Sequence, residues 1–379
     1  MIRRPRGVAA FHAVCVLASA LATLAIPSSP AAAQRRTENV VLIVTDGLRW
    51  QDLYRGPERR LMSRALGGVG DTTELIREFW RDDPKERRAR LFPFLWGEVA
   101  AKGALFGNQD VGSVARITNT YKFSYPGYSE LLTGFFDPRI NSNGYPANPN
   151  VTVLEWLARQ PRFRGKVGAI ATWDVISNVI NEARAGIDVL DGWEEPFPGA
   201  QGRDARRAMV NELYRTSLRY WDEVAFDAPM QLATKEYIRL KQPRVLFVGY
   251  GETDEWAHAR RYDLTLRSAH AVDAFVADLW QYMQGMRQYR GKTTFIITTD
   301  HGRGSGGDDW TSHGERVDGA EDIFVAVLGP DTPHLGEIRG GTAIKQGQIA
   351  ATIAALLGLE ADFLKFSPRS FPSIREVVR

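Results

Sequence analysis

The sequence predicts an α/β fold, a mostly parallel central sheet flanked by helices on both faces, with surface insertions. Three observations carry this. Short apolar runs rich in β-branched residues recur along the chain, segments of helical spacing separate them, and three runs lead into an Asp.

Taken in order, the expected strands are Val40–Val44, Val167–Thr172, Val245–Tyr250, Thr294–Thr298 and Ile323–Leu328. Continuous apolar runs of this kind suit the strands of a parallel sheet covered on both faces. Val151–Arg159, Tyr262–Met286 and Gln348–Leu357 carry apolar residues at helical intervals. Two stretches break the alternation: residues 51–90, arginine-rich and weakly periodic, and residues 191–205, rich in Gly, Pro and Trp. Both are expected to be surface insertions at the rim of a cleft. No internal repeat or linker marks a second domain, so residues 34–379 are expected to form one domain.

The composition, 44% hydrophobic and 25% charged over 379 residues, is that of a globular protein and excludes a disordered or fibrous chain. Residues 1–33 read as a signal peptide: Arg3, Arg4 and Arg6 precede an uncharged stretch from Gly7 to Ile26, and Ala31-Ala32-Ala33 offers a cleavage site. Pro27, Ser28, Ser29 and Pro30 interrupt the apolar stretch, which favours cleavage over a retained anchor. His12-Ala13-Val14 before Cys15 lacks the residues of a lipid-attachment site. The expected location is therefore periplasmic or secreted, with no stable membrane anchor. The formal charge of +3 resides in those three arginines, since the other basic residues equal the 45 acidic ones. Little then favours nucleic acid or an anionic membrane as partner. Cys15 is the only cysteine, so any metal bound by the mature chain is held by nitrogen and oxygen.

Three strands each deliver an Asp at their carboxyl ends, where open α/β sheets build their sites: Asp46 after Thr45, Asp254 after Gly251-Glu252-Thr253, and Asp300 after Thr299. A single such Asp is commonly a helix cap or turn residue. Three of them, two accompanied by His, point to metal. His258 follows Asp254 by four positions, His301 adjoins Asp300, and His313 follows a glycine-rich loop, Gly302–Gly307. His270 and His334 have no acidic strand-end partner and read as ordinary helix and loop residues. Six N/O ligands divide into two metal sites, and imidazole with carboxylate suits zinc, or else manganese or iron. Ions roughly 3.5–4 Å apart can clamp the attacking and leaving oxygens of a displacement at phosphorus. The loop Gly302–Gly307 lacks the Lys-Ser/Thr of a nucleotide-binding P-loop, and no helical pattern follows it.

Between Asp46 and Asp254, Ser124-Tyr125-Pro126 is followed by Thr133-Gly134. This spacing, with Thr45-Asp46-Gly47, Asp254-x-x-x-His258, Asp300-His301-Gly302 and His313, resembles the alkaline phosphatase superfamily. The likeness is nearest to its two-zinc phosphatase and nucleotide pyrophosphatase/phosphodiesterase branches, and the motifs run in family order from about residue 39 to 314. The resemblance implies an alkaline phosphatase-like catalytic domain and an exported hydrolase of small-molecule phosphate esters, monoester or diester. It implies two divalent metal ions, expected to be Zn2+. Asp46, Ser124, Asp300 and His301 would hold one, and Asp254, His258 and His313 the other. Ser124 would be the nucleophile, forming a phosphoserine intermediate. An Asn about twenty residues beyond it would bind substrate oxygen; Asn143 fits, with Asn141 in competition.

Tyr128 stands where those branches commonly have His, and Ser replaces their usual Thr. A related sulfatase is the first alternative, but Tyr128 occupies the position of its required Arg. An inactive metal-binding scaffold is the second, yet no ligand is lost. Lys122, Arg116 and Arg139 would serve a monoester if they faced Ser124, whereas Tyr125, Tyr128 and Trp310 would equally line an apolar pocket or pack as core.

Overall fold

The computed structural model describes residues 35–378; the expected signal peptide, residues 1–33, lies outside them. The strands, in chain order, are β1 (Asn39–Thr45), β2 (Ala104–Phe106), β3 (Ala115–Arg116), β4 (Val167–Ala171), β5 (Asp188–Leu190), β6 (Val245–Tyr250), β7 (Thr293–Thr298), β8 (Val325–Leu328), β9 (Gly336–Glu337) and β10 (Ile344–Lys345). Eight of them form one sheet in the order β5-β4-β6-β1-β7-β8-β2-β9, and β10 pairs with β3 in a small second sheet.

β1 is central because it is apolar on both faces. Val40, Leu42 and Val44 enter one core with the helices Ser124–Thr133, Val153–Arg159 and Gln348–Leu356. Val41 and Ile43 enter another on the opposite face, with the helix Tyr262–Gly285. β1 pairs in parallel with β6 (Val40 with Val245) and with β7 (Val40 with Thr294), so all three carboxyl ends lie at one edge.

Two expectations are corrected. Ile323–Leu328 forms strand β8 over Val325–Leu328, but it runs antiparallel to β7. The chain between them holds only the short 3-10 turn Asp309–Thr311, so no helix carries it across the sheet face to a parallel start. The stretch 51–90 is not a surface insertion. It folds into short helices, and Leu53, Leu61, Met62, Val69, Leu75 and Phe79 are buried in the core below β1. Its apolar residues are irregularly spaced because they come from short helices and from the turns between them, where Leu61, Met62 and Val69 lie, rather than from one long helix. Residues 191–205 bury Trp193 and Phe197 in a small separate core with Val210 and Tyr214. Among the described residues, no helix is long and apolar enough to cross a membrane.

Candidate active site

The carboxyl edge of β6, β1 and β7 brings the acidic residues together. The Asp46 amide donates to Tyr250 O across 2.8 Å, extending the pairing one residue past β1. Gly47 then turns with φ +58°, and its N–H donates to Asp300 Oδ1 at 3.1 Å. A Cβ at Gly47 would overlap Asp254 Oδ1, so the tight centre depends on glycine here. After β6 the helix Glu252–His258 starts, which puts Asp254 and His258 on one face, Nε2 to Oδ2 3.0 Å. The loop after His301 returns His313 to the same point, with the His301 and His313 ring centroids 4.0 Å apart.

Ser124 is the first residue of the helix Ser124–Thr133, so the positive end of the helix lies at its hydroxyl. The turn into that helix is strained: Lys122 sits at φ +54°, held by its amide bond to Asn119 Oδ1 at 2.8 Å. Buried Glu130 secures the same loop by accepting from the Thr118 and Asn119 amides. Gly127 lets the helix press onto the Asp300 carbonyl, where a Cβ would clash. Ser124 Oγ consequently lies 3.2 Å from His301 Nε2. His301 Nδ1 is 2.9 Å from Gly302 O, to which it donates, and Nε2 is left as the lone-pair nitrogen facing the site.

These donors suit divalent cations. Asp46, Asp300 and His301 present ligand atoms to one point, and Asp254, His301 and His313 to a second. His301 thus reaches both groups, while His258 joins through Asp254 and through His313, Nε2 to Nε2 2.9 Å. A crowd of buried carboxylates is costly without positive charge between them. Asp46 Oδ1 and Asp300 Oδ2 are buried with no hydrogen-bond donor. Burial first, then the Asp300 and Asp254 carboxylates, push the Asp46 carboxyl well above its ordinary range. Burial likewise raises Asp300. Burial opposes ionisation of Asp254 too, but Arg303, His258 and His313 outweigh it and hold its carboxyl well below the usual range. Burial, then His301, pushes the His313 imidazole well below its ordinary value, which keeps it neutral as a ligand must be.

Sequence reasoning missed the supports. Buried Arg303 donates to Gly47 O, Thr311 O and Asp254 O, and pairs with the Asp254 carboxylate. It clamps all three segments of the site, and an Arg within the glycine run directly after Asp300-His301-Gly302 was the available signal. Gln346 Nε2 holds the Thr299 and Asp300 carbonyls at 3.1 and 2.7 Å from a distant segment, with no local motif to reveal it.

The six ligand candidates, Ser124 and Asn143 all lie together. A cavity of about 230 Å3 opens on Asp46, Ser124, Asn143, Asp254, His258 and His313. Asn143 Oδ1 accepts from the Tyr125 amide at 3.0 Å, which leaves its amide NH2 free for a ligand. Asn141 lines only an adjoining shallow depression. Lys122, Arg116 and Arg139 do not line the cavity; they pair with Glu321, Asp322 and Asp137. Tyr125 and Trp310 are core residues, and the Tyr128 hydroxyl donates to Asp46 Oδ2 at 3.0 Å. His270 Nδ1 bonds Leu91 O, and His334 lies exposed, so neither belongs to the site.

The fold is that of the alkaline phosphatase-like α/β proteins, with a cluster of metal-ligand residues at the carboxyl edge of its sheet. Residues 112–326 match the type I phosphodiesterase / nucleotide pyrophosphatase family, and the chain belongs to it. A 2,3-bisphosphoglycerate-independent phosphoglycerate mutase from Gloeobacter violaceus is 25% identical over 183 residues, 44% of this chain and 30% of that protein. The chain thus matches under a third of that relative's length. The fold is shared with wild type alkaline phosphatase PafA, at TM-score 0.54 and 12% identity, covering 91% of this chain and 99% of that one. It is also shared with a phosphonate monoester hydrolase from Silicibacter pomeroyi, at TM-score 0.51 and 14% identity, covering 89% and 76%.

Proposed function

We propose that this protein hydrolyses phosphate diesters at two divalent metal ions, expected to be zinc, through a phosphoserine intermediate on Ser124. The lining of the site cavity carries the diester reading. Beside the ligands and Ser124 it presents Trp173, Val224, Glu223 and Glu255, and among the described residues no Lys or Arg. A monoester dianion calls for added cationic donors, whereas a diester has one charge and a second ester group that an aromatic and aliphatic wall can cover.

Asp46, Ser124, Asp300 and His301 would hold one ion, and Asp254, His258 and His313 the other. Bound there, divalent cations supply the Lewis acidity that acidifies the serine hydroxyl and offsets charge on the leaving oxygen. Ser124 Oγ gives its proton to solvent and bonds to phosphorus as the P–O bond to the ester group breaks, and the ester oxygen leaves as an alcohol, taking its proton from solvent. The Asn143 amide holds a non-bridging oxygen as charge builds on it. Water then cleaves the phosphoserine, releasing a phosphate monoester and restoring the hydroxyl. His301 and Asp300, fixed by Gly302 O and by the Gly47 amide, keep the reacting edge in place.

The mature protein is proposed to act outside the cytoplasm, on the strength of residues 1–33; sequencing the exported protein from Gln34 checks this. The activity test compares aryl phosphate diester, monoester and sulfate with the metal-loaded protein, alongside zinc content. Preference for the diester with two zinc ions per chain is expected. A preferred sulfate ester, or turnover of none of the three, would overturn the reading.

A further inference from the structure

The arginine-rich stretch after β1 builds a second cavity, of about 250 Å3, that the reaction at Ser124 does not use. Arg49, Arg55, Arg59, Arg60 and Arg87 line it, with Glu58 as the one lining carboxylate. Arg49 pairs with Glu58 and with buried Asp52, Arg60 with Glu58, and Arg55 with Asp110 on the outer side. Five guanidinium groups therefore meet three carboxylates, and among the described residues Arg59 and Arg87 have no carboxylate partner. Both lie against Trp80, their guanidinium carbons 5.7 and 4.3 Å from its ring centroid, and Arg87 is further held by its Nε and Nη1 donating to the Arg55 and Arg81 carbonyls, each at 2.9 Å.

A second observation points to a ligand. Arg49 is only 3% exposed, yet its Nη1 has no hydrogen-bond acceptor, and its Nε faces only the Asp52 carboxylate at 3.5 Å, beyond a good hydrogen bond. Gln51, beside it on the cavity wall and also buried, has an Oε1 with no donor. Leaving such groups unanswered is costly, and an anion with several acceptor oxygens and one O–H answers both. Hydrogen phosphate has that chemistry. We propose that this cavity is an oxyanion site for a phosphate group, separate from the metal centre. Ser305, on the loop joining His301 to His313, closes one side, so the occupant would sit against the segment that delivers a metal ligand.

Calorimetric titration of inorganic phosphate into the metal-loaded protein tests this. Wild type is expected to show two binding events, one at the metal centre and one here. The Arg59→Ala/Arg87→Ala variant should retain the first and weaken the second by about tenfold or more. Exposed Arg59→Glu gives the same loss with no buried group disturbed, and an unchanged melting curve shows that the fold is kept. Repeating the titration with glycerol phosphate separates the sources. Equal or weaker binding identifies free phosphate, and clearly tighter binding identifies a phosphate group of a larger molecule. One binding event in wild type, or two undiminished events in both variants, would overturn the proposal.

Discussion

The Tyr128 hydroxyl reaches Asp46 Oδ2 across 3.0 Å from the helix that begins at Ser124. A phenol thus ties the nucleophile's helix to the first strand-end carboxylate and selects which of its oxygens faces the cavity. Tyr128→Phe leaves that oxygen without its donor. The variant is expected to lose about 1–3 kcal/mol of stability, read as a lowered denaturation midpoint. Its metal affinity should fall by roughly 10–100-fold, read by chelator competition, as for other contacts that orient metal ligands.

Ser124→Ala removes the attacking oxygen and leaves the Asp and His ligands. Diester turnover is expected to fall by roughly a thousandfold or more, as for other covalent nucleophiles. Bound metal should remain measurable. Activity near wild type would refute the phosphoserine path and leave the metal centre standing.

Gly47→Ala places a methyl against Asp254 Oδ1 at a φ of +58°. The backbone cost alone is about 1–2 kcal/mol, and the displaced carboxylate is a proposed metal ligand. Metal content should drop further than the melting temperature does. Equal losses of both would mean that the turn matters to the fold and not to the centre.

Asp191 gives a pH dependence away from the metal. Burial is the main cause that pushes its carboxyl up to about 7, although the Ser177 amide donates to it at 2.7 Å. The folded carboxyl holds a proton that the unfolded chain, near an ordinary Asp value, has already released. Stability is therefore greater on the acid side and declines as pH rises from about 4 toward 7, by at most about 1.4 kcal/mol per unit. Asp191→Asn keeps an acceptor for Ser177 and should flatten this slope in melts recorded from pH 5 to 8. A wild-type slope preserved in the variant would assign it elsewhere.

The parts of this molecule legible in its sequence are those written in short range. β1, β6 and β7 announce themselves because each is buried at every position around an unbroken apolar stretch, and Asp46, Asp254 and Asp300 because each follows such a run. What stayed hidden depends on pairs distant in the chain. The direction of β8 was decided by the lack of a crossover helix, which no residue of the strand records. Arg303 and Gln346 act through backbone carbonyls, which have no side-chain signature. The buried side of residues 51–90 was obscured by its arginines, several of which turn outward around Leu53, Leu61 and Leu75.

The neighbouring strands that carry the ligands, β6, β1 and β7, are far apart along the chain, and that has a kinetic side. Each group of ligand atoms joins residues from at least two of these strand ends, so neither forms until long loops have closed and the sheet's middle is paired. A cation finds little to hold on the unfolded chain, where only short-range pairs such as Asp254 and His258 are near each other. On the proposed two-metal reading it would therefore arrive after the slow step and leave the rate of folding alone. Its effect would fall on the reverse process: loaded protein would have to give up its ions before the central strands separate, and persistence, more than speed of assembly, is what bound metal would contribute.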